Sequence, residues 1–378
     1  MNKRLFHLDL IRGLAALLVC SGHLRAFLFC GLEEIQLPSV FTKVFYFLTG
    51  LGRQAVMVFF VLSGFFVAGS VVDAWKGNRW SWRGYALRRL TRLWLVLLPA
   101  LVVTLAWDSI GAWLSDGKGY NGCYYGLVNS GPTATSPASH SVAIFLGNAA
   151  FVQTLIVPVF GTNGPLWSLA NEFWYYALFP MLWVAALGKG WTRWVSALLA
   201  GVLFWRLPAS LLLSGIIWLL GLGSFIAWRT PALAAKARHP LILALAGLAF
   251  VLTLCLSKTG HWLGSDYCIG TAFALLVPGL AARNSPPAAY QGVAVHLSEL
   301  SYTLYVMHFP ALAFVAFVFI APTKYPPGLH GFALYLLLLA GVLAYSWLLW
   351  WCFERNTDRL RRWLEPRLGI LARPRNRS

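Results

Sequence analysis

Residues 8–29 read LDLIRGLAALLVCSGHLRAFLF. Roughly 20 apolar residues cross a bilayer as a helix, and this run has that length. It nevertheless contains Asp9, Arg12 and His23, and it lacks a small-residue cleavage site. Both features mark a retained membrane span and not a removable signal peptide. A charged group inside a span costs about 2.5–3.5 kcal/mol on insertion scales, so it is retained where it pairs or works. Arg12 and His23 are eleven residues apart, which is three helical turns plus roughly 20°, so both lie on one face about 16 Å apart along the axis. An imidazole at that depth can take a hydroxyl proton near neutral pH, or it can hydrogen-bond a neighbouring span.

The rest of the chain follows the same rule. Of 378 residues, 59% are hydrophobic and 11% charged, well below the roughly 25% charged of a soluble domain. The expected fold is all-α and polytopic. Ten spans are placed at about 8–29, 54–73, 93–114, 166–187, 195–207, 209–228, 241–257, 267–282, 299–320 and 331–352. Residues 1–355 read as one membrane domain and 356–378 as a basic cytoplasmic tail. The apolar stretch 142–160 reads as an eleventh span, a re-entrant segment or an interfacial one.

Loop charge selects among these. With ten spans and both termini cytoplasmic, 22 of the 30 basic residues fall inside, from Lys3 and Arg4 through the cluster 76–92 to the eight arginines between Arg355 and Arg377. Seven fall outside: Arg25, Lys43, Arg53, Lys118, Arg206, Lys258 and Lys324. That is the positive-inside pattern, and an eleventh span would break it. The net charge of +18 is therefore topological and does not imply nucleic acid. The six cysteines are scattered without a CxxC pair, so neither a metal nor a redox motif is read. Cys255 and Cys268 flank one short loop and are expected to be isolated, unless that loop faces an oxidising space.

Several segments resemble the integral-membrane acyltransferase-3 family. Leu8-Asp9-Leu10-Ile11-Arg12-Gly13, ending at Ser21-Gly22-His23, is similar to that family's first span, whose mark is an arginine and a histidine separated by ten residues. Phe59–Phe65 resembles its second span, and Arg88-Arg89-Leu90-Thr91-Arg92 the basic approach to its third. Pro165-Leu166-Trp167-Ser168-Leu169 with Glu172, Tyr175 and Tyr176, and Ser301-Tyr302 through Tyr305 to His308, resemble two later motifs. Asn171-Glu172-Phe173-Trp174 departs from the commoner Glu-Glu-Gln-Phe-type run, so only Glu172 carries over. Some members append an extracytoplasmic hydrolase-like domain; a basic tail stands here, and any such partner is expected to be separate.

The resemblance implies acyl transfer, with acetyl the expected group, from cytoplasmic acyl-coenzyme A to a hydroxyl of a cell-surface or exported glycan, in a bacterial inner membrane. His23, Arg12, Glu172 and His308 are the expected catalytic residues, with His23 as base or transient acyl carrier. Arg89 and Arg92 are the expected donor-binding residues, since fixed cations at the inner mouth suit phosphates; an anchor on anionic lipid is the alternative and is preferred for Arg88. Glu172 is expected either to orient His23 or to pair with Arg53 or another basic group. Trp167, Ser168, Tyr175, Tyr302 and Tyr305 are substrate-binding candidates, though Trp167 and Tyr175 also suit interface or packing roles. Asp108, in the third span, has no evident partner, and Asp9 suits the helix N-terminal dipole. The rival is a proton-coupled transporter using Arg12, His23 and Glu172 as a relay. Gly64 and Gly69 would then interrupt the second span, although no internal repeat supports that reading.

Overall fold

A computed structural model describes residues 4–128, 131–283 and 285–370. Lys3 and the tail arginines Arg373, Arg375 and Arg377 lie outside the described residues. Among the described residues the chain is helical, with only isolated β-bridges such as Phe29–Tyr325.

The long helices are α1 (Phe6–Leu28), α2 (Gly52–Lys76), α3 (Trp82–Leu114), α4 (Leu166–Leu187), α5 (Gly190–Arg206), α6 (Ala209–Arg229), α7 (Pro240–Leu256), α8 (Asp266–Ala282), α9 (Ala288–Val315) and α10 (Leu329–Cys352). Their starts are written in side chains. Ser81 and Ser265 accept N-terminal amides of α3 and α8, and Pro240 stands in the first turn of α7, where its missing N–H costs nothing.

A long helix lies at each of the ten expected places. By length and composition, however, six candidate spans meet the requirement for crossing a membrane: α1, α2, α3, α6, α9 with its extension to Ile320, and α10 with its extension to Arg367. The helix pair Pro231–Ala237 and α7, bent by 73°, raises this to seven. Two physical reasons account for the rest. Helices α5, α7 and α8 have 17 residues each, about 25 Å against a core of about 30 Å. Helix α4 is long but carries Asn171, Glu172 and several Trp and Tyr. The stretch 142–160 contains only the eight-residue helix Val142–Ala149 followed by turns, with Phe151 and Thr154 at positive φ; it is too short for a span.

Helix ends gather on two faces. The tail-side face joins the start of α1 to the first half of α9 through Arg4–Glu299, and the ends of α2 and α6 through Asp73–Arg229. The opposite, loop-side face joins the starts of α2 and α8 through Arg53–Asp266, and Lys258 to the Gly50 carbonyl. Close helix crossings rest on glycine. A Cβ on Gly13 would sit 2.4 Å from Leu297 Cβ, so α1 lies directly on α9. A Cβ on Gly64 would meet the Trp218 carbonyl oxygen at 1.8 Å, and one on Gly221 the Val61 carbonyl oxygen at 2.0 Å, so α2 and α6 touch backbone to backbone. Helix α2 runs unbroken through Gly64 and Gly69, which are packing residues and not the breaks a transporter reading needs.

Candidate active site

Helix α1 presents Arg12 and His23 to the same neighbour, α9, as the eleven-residue spacing predicts. Arg12 donates through Nε to Ser298 Oγ at 3.0 Å and through Nη2 to Asp9 Oδ1 at 2.8 Å, while Ser298 Oγ donates to the same Asp9 oxygen at 3.0 Å. Asp9 is thus the counter-ion of Arg12 and more than a dipole partner; its position three residues upstream, on the same helix face, was the available signal.

His23 meets His308. His23 Nδ1 and His308 Nε2 are 2.8 Å apart, and His308 Nδ1 lies 2.8 Å from the Leu304 carbonyl oxygen. A carbonyl only accepts, so His308 Nδ1 carries the proton and neutral His308 offers its Nε2 lone pair. His23 must then donate from Nδ1, which leaves a lone pair on His23 Nε2. His308 is fully buried, and the Phe309 ring packs edge-on against His23 at 4.9 Å.

Two cavities flank this seam. The tail-side cavity, of about 110 Å³, is lined by Arg12, Arg89, Arg92, Glu172, Tyr176 and Tyr302 among others. Three arginines against one carboxylate make it cationic. Arg89 donates to Ser70 Oγ at 2.8 Å and lies over the Tyr85 and Tyr176 rings, but its Nε has no partner among the described residues. Arg92 keeps an accessible side chain there with no hydrogen bond or ion pair among the described residues. Glu172 accepts from the Tyr176 hydroxyl, which Ser63 Oγ approaches at 3.2 Å, and Trp218 Nε1 donates to Ser63 Oγ at 3.0 Å. Glu172 therefore does not orient His23, whose partner is His308. Nor does it pair with Arg53, which binds Asp266.

The loop-side cavity, of about 700 Å³, is lined by His23, Arg25, Arg53, Trp167 and Asp266. Val56 and Tyr305 line both cavities and form the wall between them. Tyr305 is fixed there by Ser168, whose Oγ lies 2.6 Å from the phenol oxygen. Tyr302 donates to the Leu93 carbonyl at 3.1 Å and lines the tail-side cavity. Tyr175 reaches neither cavity: it donates to the Leu211 carbonyl and is packed against Phe60 and Trp218.

The wall is held from the long loop. Asp108, fully buried, accepts from Thr162 N and Oγ1 at 2.7 Å each and from His140 Nε2 at 2.8 Å. Pro310 has no N–H, so the Val306 carbonyl four residues earlier loses its helical partner, and Asn163 Nδ2 donates to it at 2.9 Å. These bonds place Gly164 and Pro165 at the cavity edge and start α4, with Trp167 and Ser168, beside them. Glu354, beyond α10, accepts from Thr303 N at 3.1 Å and from its hydroxyl. Asp9, Ser298, Arg25 and Glu354 were not among the expected site residues. Apart from Asp9, each takes its importance from a contact across the fold.

A family model described as an acyltransferase domain, of the type 3 membrane group, matches residues 6–351. No curated protein and no solved structure matches the chain.

Proposed function

This chain belongs to the acyltransferase-3 family of membrane proteins, and from that membership we propose that it moves an acyl group, acetyl in the simplest case, from acyl-coenzyme A to a hydroxyl of a cell-surface or exported glycan. In this reading the ten long helices are all embedded in a bacterial inner membrane. The tail-side face, which receives most of the basic residues, is cytoplasmic. Acyl-coenzyme A is a donor substrate whose phosphates suit Arg89 and Arg92 at the cationic cavity.

The observation that carries the reading is the tautomer chain His308–His23, which leaves a free imidazole lone pair on a residue lining a cavity separated from Arg12, Arg89 and Arg92 by Tyr305. His23 Nε2 takes the acceptor hydroxyl proton as the oxygen attacks the thioester carbonyl carbon. The carbon–sulfur bond breaks, and the imidazolium returns its proton to the departing thiolate. His308 holds the ring in the useful tautomer and shares the charge that forms at Nδ1–H.

The test is acetyl transfer from radiolabelled acetyl-coenzyme A by purified protein, paired with mass analysis of surface glycan from cells with and without it. His23→Ala should lower transfer about 10²–10⁴-fold, the usual worth of general-base catalysis, with folded yield unchanged. Near-wild-type transfer by that variant would remove His23 as base and as acyl carrier.

A further inference from the structure

We infer that the loop-side cavity selects acceptors carrying an anionic oxygen group, a carboxylate or a phosphate, which docks on Arg25 while the reacting hydroxyl lies at His23. The inference rests on the acyl-transfer reading for the role of the cavity, but its own basis is the charge arrangement at the cavity mouth.

Arg25 follows His23 by two residues in the last turn of α1, and both line the cavity. A cation at a helix C-terminus suits the dipole, which explains its tolerance there. It does not explain how the side chain is held. The guanidinium lies 5.0 Å over the Tyr46 ring, and its Nε is closed off from solvent with no hydrogen-bond partner among the described residues. With Nε closed off, an oxygen ligand in the cavity would meet the terminal guanidinium nitrogens, which make no hydrogen bond among the described residues either.

The carboxylates nearby are either engaged or out of contact. Asp266 is taken by Arg53, with Nη2–Oδ2 at 2.7 Å and Nε within 3.2 Å of both oxygens. Glu34 spends Oε1 on the Gly31 amide at 2.7 Å. Glu33, on the exposed turn, reaches Arg25 only through its field. Positive charge instead accumulates. Lys258 donates to the carbonyl of Gly50, itself part of the cavity wall. Burial holds the Lys258 ammonium below its ordinary pKa, and the Arg25 charge pushes the same way. Arg25 acts in that direction on Lys324 as well, after burial as the main cause and against the opposing field of Glu34. In the cavity lining Arg25 and Arg53 meet one acid, Asp266, which Arg53 already binds; Lys258 stands behind the Gly50 carbonyl, and Glu33 and Glu34 act from the neighbouring turn without a bond to Arg25. A neutral sugar would leave that imbalance unanswered, whereas a carboxylate or phosphate would neutralise it with charge-assisted bonds to a planar fork.

The experiment uses the full chain in phosphatidylcholine nanodiscs and measures equilibrium binding of three probes: glucuronic acid, glucose 1-phosphate and methyl glucoside. At low salt both anions should bind about tenfold or more tightly than methyl glucoside. Arg25→Gln should bring the three to parity, and Arg25→Lys should keep part of the preference. Whichever anion binds more tightly in the wild type assigns a sugar carboxylate or a sugar phosphate as the source. Equal binding of the three probes, or a preference that survives Arg25→Gln, overturns the inference. So does loss of all three probes, the neutral one included, in both variants, since Arg25 would then only support the fold. Acetyl-coenzyme A consumption is read in the same preparation. If none is consumed while the charge preference holds, the acyl-transfer reading fails and the anion site stands.

Discussion

His308 of α9 is buried and Arg12 of α1 half-buried where the two helices meet, and their chemistry separates two kinds of dependence. His308 serves through one atom, the Nε2 lone pair that accepts from His23 Nδ1 at 2.8 Å. His308→Gln offers a carbonyl oxygen there, so it should retain part of the turnover. His308→Ala should lose more, with the donor KM little changed in either; equal activity of wild type and His308→Ala would show that His23 needs no positioning partner. Arg12 grips Ser298 with both Nε and Nη2 and Asp9 with Nη2. A lysine keeps the charge but lacks the planar fork that holds Ser298 by two nitrogens, so Arg12→Lys should fail to rescue and cost about 1.5–3 kcal/mol, tenfold or more in turnover. Arg92 has no such partners. Arg92→Lys should keep most acyl-coenzyme A affinity and Arg92→Ala should weaken it about tenfold or more, measured as donor Kd in purified protein. Unchanged donor affinity in Arg92→Ala would leave that arginine as a topology anchor.

Helices α3, α4 and α9 are tied together by a loop segment, and the tie is polar. Asp108 of α3 receives three donors from His140 and Thr162, and Asn163 reaches the carbonyl that Pro310 frees in α9. Removing the carboxylate strands a buried N–H and a buried hydroxyl, each costing roughly 1–3 kcal/mol. Asp108→Ala should therefore lower Tm and speed proteolysis within residues 115–165 before the rest of the chain. It should also slow transfer, because Gly164, Pro165 and Ser168 shape the wall at Tyr305. A variant with wild-type Tm and an intact loop would show that the Asp108 bonds are replaced by water at no cost.

The whole chain places its helix ends on two faces, and cationic and loop-rich surfaces segregate accordingly. If the tail-side face is cytoplasmic, cysteines introduced at 77–81 should be protected from an impermeant thiol reagent in intact cells, and ones at 259–261 should be labelled. The native cysteines are free, so they need replacing first; among them Cys123 and Cys255 are exposed. Labelling at 77–81 from outside would reverse the orientation and move the proposed donor cavity to the wrong side of the membrane.

The apolar runs, the basic loops and the shared face of Arg12 and His23 were legible because each depends on local quantities: hydropathy over about 20 residues, and a helical repeat of 3.6. Span length was less legible at α5, α7 and α8, where apolar composition was clear but the helices stop at 17 residues. Partner identity was legible only within a helix. Tyr176 stands one turn after Glu172 on the same face, whereas nothing near His23 names His308, which lies 285 residues away. Those choices are made where helices cross, and the crossings depend on which residues are small enough to let backbones meet, as at Gly13 on Leu297 and Gly64 on Trp218. A chemical group in a span declares that it needs a partner because burial without one is costly. Only the packing of α1 on α9 decided that an imidazole faces an imidazole, that Arg12, Arg89 and Arg92 line a cavity apart from it, and that Tyr305 stands between.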